Sequence, residues 1–271
     1  MTSPAPDRAW LEKLRAGAIQ APLRPRVPLW AGESVIGSVE PDFLHQIALQ
    51  PLADGHHPLL KEERPEGLGW RLMGDVTTSL NRVATALHEA GLAGAWRNEQ
   101  LAVPDQLGHR KGTVERAAVR PLGITTLAVH LVGQTPNGRI WVQQRALDKA
   151  NDPGLWDTLM GGMVSAADTV ETALARETWE EAGLRVAELR DIRYGGRLST
   201  RRPSTDGRGA GYVVEDIDWY VATVPDGLVP ENRDGEVARF DLLETDELLR
   251  RMAGHEFTAE AALILADYLG H

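Results

Sequence analysis

Residues 123–182 constrain the fold more than any other part of the chain. GITTLAVHLVG (123–133) is a mostly apolar run rich in β-branched residues, which reads as a buried strand. TPNG (135–138) is a turn, and RIWVQQR (139–145) is the returning strand of a hairpin. A long Gly/Pro-rich loop (148–164) leads into a helix from Asp168 to Ala182. Farther on, 211–224 reads as a long strand with a bend near Glu215–Asp216. Residues 236–252 are a strand running into a capped helix, and 258–269 a closing helix. Hairpins mixed with single helices predict an α+β or α/β chain with a mixed sheet, not a doubly wound parallel one.

The N-terminal stretch has its own pattern. APLRPRVP (21–28) is extended by its prolines. Residues 30–44 suggest a short hairpin turning near Gly32–Glu33, with a helix start after Pro41–Asp42, and 69–74 suggest another strand. Residues 75–92 form an amphipathic helix: Val76, Leu80, Val83 and Leu87 recur at helical spacing, Asp75 can cap the start and Gly91 ends it. Residues 95–104 read as a strand ended by proline. The expected division is a small α+β domain over 1–118 and a second domain over 119–271.

Composition narrows the function classes. The chain has 271 residues and a net charge of −10, which argues against nucleic-acid and anionic-membrane partners. It has no cysteine, hence no disulfide, thiol nucleophile or Cys-ligated zinc. No run reaches the roughly 18 apolar residues of a membrane helix, and the first ten residues lack the apolar core of a signal peptide. The expectation is a cytoplasmic protein, with a homodimer as a further option.

The segment RETWEEAGL (176–184) carries the chemistry. Glu177, Glu180 and Glu181 stand at i, i+3 and i+4, on one helix face. Like charges at that spacing cost roughly 0.2–0.5 kcal/mol per pair in water. A hard divalent cation reverses the sign, because magnesium takes carboxylate and phosphate oxygens. The competing reading is a plain solvated helix face. Upstream, Gly161 and Gly162 let backbone amides approach a phosphate or pass close to the metal-binding face. Asp168, with Glu171 three residues later, looks like a helix-capping arrangement.

Written out, residues 162–184 run Gly162, five residues, Asp168, seven residues, Arg176-Glu177-Thr178, one residue, Glu180-Glu181, one residue, Gly183-Leu184. This resembles the Nudix box. Asp168 stands where glutamate is usual and Thr178 where a bulky aliphatic is usual. PGLWDTLMGG (153–162) and GEVARFDLLETDEL (235–248) resemble segments flanking the box. The resemblance implies a Nudix αβα sandwich from about 120 onward, with Mg2+ or Mn2+ held by Glu177, Glu180 and Glu181, and Asp168 as an outer contact. Arg176 would orient Glu177. It also implies hydrolysis of a small-molecule diphosphate by water activated at the metal. Glu181, Glu231 and Glu236 are the candidate bases, Glu236 ranked first among the loop residues. Arg145, Gly161, Gly162, Arg197 and Arg202 are the expected substrate contacts.

Residues 190–208 hold six arginines and two aspartates among Gly, Ser, Thr and Pro. They are expected to form a mobile lid, with Arg197, Arg201 or Arg202 reaching phosphate. AWRNEQLAV (95–103) and residues 114–157 resemble a Nudix subgroup whose extra N-terminal domain is associated with thiamine pyrophosphokinase. That implies thiamine diphosphate or its oxidised analogues as substrate, with Trp156 or Trp96 as a candidate stacking platform against a plain core role. WDTLMGG (156–162) departs from the subgroup pattern. ADP-ribose and other nucleoside diphosphate compounds are the alternative substrates. A Nudix-type ligand sensor is the non-enzymatic alternative, weakened because the box glutamates are present. Isopentenyl diphosphate isomerase shares the fold but needs a catalytic cysteine.

Overall fold

The computed structural model describes residues 8–51, 55, 57–149 and 151–271. The N-terminal layer contains β1 (Val27–Ala31), β2 (Ser34–Val39), β3 (Leu59–Arg64) and β4 (Gly67–Leu72) in one sheet of order β2-β1-β4-β3. Helix α2 (Val76–Glu89) and a two-stranded ribbon, β5 (Gln100–Pro104) with β6 (Arg110–Glu115), complete it. The helical spacing read in the sequence is the packing face: Leu80, Val83 and Leu87 are buried, and Asp75 caps α2 by accepting from the Thr78 N–H at 2.8 Å. The same core takes in Leu122, Ile124, Met163 and Ala210, so it is welded to the second layer.

The larger sheet has the order β11-β12-β7-β8-β13, from β7 (Thr126–Gln134), β8 (Ile140–Arg145), β11 (Arg190–Ser204), β12 (Gly211–Thr223) and β13 (Val237–Leu243). β12 runs parallel to β7 and the other pairings in that path are antiparallel, so the sheet is mixed. Alternation along β7 sends Ala128 and Val132 to one face, against α4 (Thr245–Ala253) and α5 (Ala259–Tyr268). Val129 and Leu131 go to the other face, against α3 (Val170–Ala182). The result is the expected αβα sandwich. An N-terminal helix that the sequence reading missed, α1 (Arg8–Ala18), buries Leu11 in the same core as α5.

One departure from the simple hairpin creates the site. β7 and β8 pair only at Gly133–Trp141 and Gln134–Ile140, next to the TPNG turn. Beyond that they diverge into a fork. The Gly/Pro-rich loop fills it with two short strands: β9 (Trp156–Asp157) pairs with β8, and β10 (Met160–Met163) pairs with β7. A loop was expected there; the free edges of the diverging strands recruit it as strand.

Two further expectations are corrected. Residues 190–204 are not a lid but strand β11, laddered along β12. The arginines lie there because acids on neighbouring elements neutralise them: Arg197 pairs with Asp218, Arg201 with Asp216, and Arg202 with Glu260. The cap of α3 is Thr169, which accepts from the Thr172 N–H, not Asp168 with Glu171. No helix among the described residues is long and apolar enough to cross a membrane.

Candidate active site

A cavity of about 580 Å³ opens at the fork, lined by α3, β10, the 145–157 loop and β12. Glu181 sits at its floor, 2% exposed. Its Oε2 accepts from the Gly161 backbone N–H at 3.0 Å and from Gln143 Nε2 at 2.8 Å. Burial pushes its carboxyl up to about 7, against the pull of Lys149 and these donors. Lys149 Nζ lies 3.7 Å from Glu181 Oε1 and also ion-pairs with Glu236 across the cavity mouth.

Glu177 and Glu180 face a different cation. Arg176 Nη1 donates to Glu177 Oε1 at 2.8 Å and to Glu180 Oε2 at 3.0 Å. Its Nε and Nη2 donate to Asp168 Oδ2 at 3.0 and 2.8 Å. Burial raises the Glu177 carboxyl although Arg176 opposes it. The planar guanidinium fork thus ties three acids together. Asp168 grips Arg176, which explains how a shorter acid serves at that position.

Among the described residues, no three Asp, Glu or His side chains gather around one point as a metal cage. The convergence expected from helical spacing is therefore replaced by a division. Mutual repulsion spreads the three glutamates between two protein cations, Arg176 and Lys149. The donor set nonetheless fits a hard divalent ion. Glu177, Glu180, Glu181 and Glu236 all line the same cavity and offer only oxygens. The Lys149 ammonium already stands as a positive charge between Glu181 and Glu236. Gln143 Oε1, buried and without a partner among the described residues, adds an uncommitted oxygen close by.

Glycine is required at 162 by close approach. A Cβ there would lie 2.1 Å from Glu177 Cδ, so the carboxylate rests on the bare backbone. Arg145 and Arg202 reach the cavity, Arg145 held by Asp157 at 3.3 Å and Arg202 by Glu260 at 2.9 Å. Arg197 and Arg201 do not line it; they border a second cavity on the α3 N-terminal side. Glu236 lines the active cavity, whereas Glu231 pairs with Arg233 and is exposed. Burial favours the neutral Glu236, but Lys149 outweighs it and holds the carboxyl low.

The aromatic candidates are elsewhere. Trp156 is 4% exposed, with the Arg239 and Arg251 guanidiniums 5.0 and 5.1 Å from its ring centroid, and Trp96 packs on His88. Neither lines the cavity. Sequence reasoning missed Gln143, Lys149, Asp157, His130 and Glu215, all of which belong to the cavity wall or support Glu181. Only strand register brings them there; nothing in their spacing along the chain signals it.

The mixed sheet between helical layers, with its acidic helix set against a glycine-bearing strand, defines the αβα sandwich class. Residues 124–263 match the NUDIX domain, and the chain belongs to that family. A crystal structure from Deinococcus radiodurans shares the fold, with a TM-score of 0.50 and 21% identity over 63% of this chain and 99% of that one. An uncharacterized Saccharomyces cerevisiae protein is 27% identical over 201 residues, 67% of this chain and 57% of its own length. An uncharacterized Nudix hydrolase of Pseudomonas aeruginosa is 37% identical over 93 residues, 34% of this chain and 55% of its own length. The chain thus spans little more than half the length of these two relatives. The isopentenyl-diphosphate Delta-isomerase of Streptomyces coelicolor is 34% identical over 164 residues, 59% of this chain and 78% of the isomerase.

Proposed function

We propose that the chain is a divalent-metal-dependent hydrolase of a small organic diphosphate, releasing phosphate and a monophosphate, with thiamine diphosphate or an oxidised analogue as substrate. The observation that carries this reading is the meeting of two charge sets in one cavity: the helix carboxylates Glu177, Glu180 and Glu181, and the guanidiniums of Arg145 and Arg202. Mg2+ or Mn2+ bound by the three glutamates would neutralise diphosphate charge and acidify a water molecule. Arg145 and Arg202 exchange their carboxylate partners for phosphate oxygens, which suit the same fork geometry. Glu236, ionised beside Lys149, takes the proton of the attacking water as the bridging P–O bond breaks. Arg176 holds Glu177 and Glu180 in place while this happens.

The substrate preference rests on the cavity lining, in which no Trp, Tyr or Phe stands among the described residues. The lack of an aromatic platform disfavours a neutral base that binds by stacking. The isomerase reading falls on the absence of any cysteine. The test is cleavage of thiamine diphosphate, ADP-ribose and NADH with Mg2+ or Mn2+, read as phosphate from the first and as AMP from the other two. Faster turnover of thiamine diphosphate is expected. Better turnover of ADP-ribose transfers the substrate assignment to nucleoside diphosphates, and no release from any member sinks the hydrolase reading.

A further inference from the structure

His130 is 8% exposed, yet it lines the cavity. It stands on β7 directly opposite Gly161 of β10. A Cβ at Gly161 would lie 2.5–2.8 Å from three atoms of its ring, so the imidazole lies on the bare Gly161 backbone. That backbone N–H is the one that holds Glu181. The ring is therefore packed beside the floor of the catalytic cavity.

Its orientation follows from proton counting. Nδ1 is 3.0 Å from Thr158 Oγ1. The Thr158 hydroxyl has one proton, and it is donated to the Met160 carbonyl at 2.8 Å. Thr158 Oγ1 must therefore accept from His130, which places a proton on Nδ1. Asp157 Oδ1, 3.5 Å from Nδ1, favours the same arrangement, and is itself fixed by the Thr158 N–H at 2.9 Å. Among the described residues Nε2 has no hydrogen-bond partner, and it is not one of the sealed, unpartnered buried atoms. It is the nitrogen left to face the cavity.

We propose that His130 Nε2 contacts the substrate directly, sharing a hydrogen bond with a phosphate group of the diphosphate. The inference rests on the hydrolase reading above. Nδ1 stays on Thr158, and one proton joins Nε2 to the phosphate group. The subgroup resemblance covers this residue without giving it a role; the β7–β10 register and the glycine at 161 bring it to the reacting group.

Asparagine and glutamine separate this role from a structural one. An Asn amide reproduces the Nδ1 side of the ring, and a Gln amide reaches toward the Nε2 position. The probe is methylenediphosphonate, a diphosphate that cannot be hydrolysed, titrated calorimetrically in Mg2+ against wild type, His130→Asn and His130→Gln, with Tm and phosphate release measured alongside. His130→Asn is expected to keep its Tm within a few degrees and weaken binding by about tenfold or more, the size of a hydrogen bond to a charged group. His130→Gln is expected to stay within about threefold of wild type, since its amide keeps a hydrogen-bonding group at that point. Asn binding equal to wild type overturns the proposal, and so does an equal loss in both variants accompanied by a lowered Tm. Wild type that neither binds the probe nor releases phosphate fails the hydrolase reading itself, a result distinct from those two.

Discussion

The backbone N–H of Gly161 donates to the Glu181 carboxylate, 3.0 Å away, although twenty positions of chain separate the two residues. The bond joins the forked sheet to the acidic helix and holds a buried carboxylate at the floor of the cavity. A buried acid without such donors would be strongly destabilising. Strand β10 thus does two jobs: it closes the fork and it supports the helix that carries Glu177, Glu180 and Glu181.

Gly162→Ala tests the contact on the same strand. Its Cβ would overlap Glu177, which has the Gly162 backbone on one side and Arg176 on the other. The side chain must move, so phosphate release is expected to fall by at least about tenfold, the scale for a misplaced site group. Unchanged kinetics with unchanged Tm would show that Glu177 has no fixed role.

Arg202 and Arg197 were equivalent in the sequence and are not in the structure. Arg202→Ala is expected to raise KM several-fold, because its guanidinium lines the active cavity. Arg197→Ala leaves KM unaltered, because Arg197 is paired with Asp218 and lies outside that cavity. Steady-state kinetics of the two variants on one diphosphate decide it; a raised KM in Arg197→Ala would revive the lid.

Glu180→Gln removes one charge from an exposed part of the acidic face and should leave Tm within about a degree or two, the usual range for a surface change. Activity at saturating Mg2+ is expected to drop by about two orders of magnitude, consistent with loss of a ligand or its support. Stripping wild type with EDTA should abolish phosphate release, with Mn2+ or Mg2+ restoring it. Full activity after EDTA would remove the metal from the reaction.

Asp105 gives a pH prediction away from the site. Lys111, with the Leu107 and His109 N–H groups, outweighs desolvation and lowers its carboxyl to about 2. An acid lowered on folding stabilises the folded state above its unfolded pKa, about 3.9. That contribution disappears as pH falls through about 2. Asp105→Asn should therefore be less stable than wild type at pH 6, and the gap should close between about pH 4 and pH 2. Denaturant midpoints for both proteins across that range check it; a constant gap would mean the effect is steric.

Much of the architecture was legible because it depends on local order. The β-branched run at 123–133, the TPNG turn and the amphipathic spacing of Val76, Leu80, Val83 and Leu87 each produced the expected element. The arginine-rich stretch at 190–208 was misread because composition reports charge but not partner. Asp216, Asp218 and Glu260 neutralise Arg201, Arg197 and Arg202 from other elements, so the ladder with β12 forms instead of a loose loop.

By itself the sequence determined the acidic helix, the glycines ahead of it and the α+β class, since these follow from spacing and turn chemistry along a short stretch of chain. Tertiary structure decided how the charges are shared. Lys149 between Glu181 and Glu236, Gln143 under Glu181, and His130 on Gly161 are meetings across diverging strands. Coulomb and hydrogen-bond energies depend on distance in space, and the fork sets that distance for residues that lie far apart along the chain.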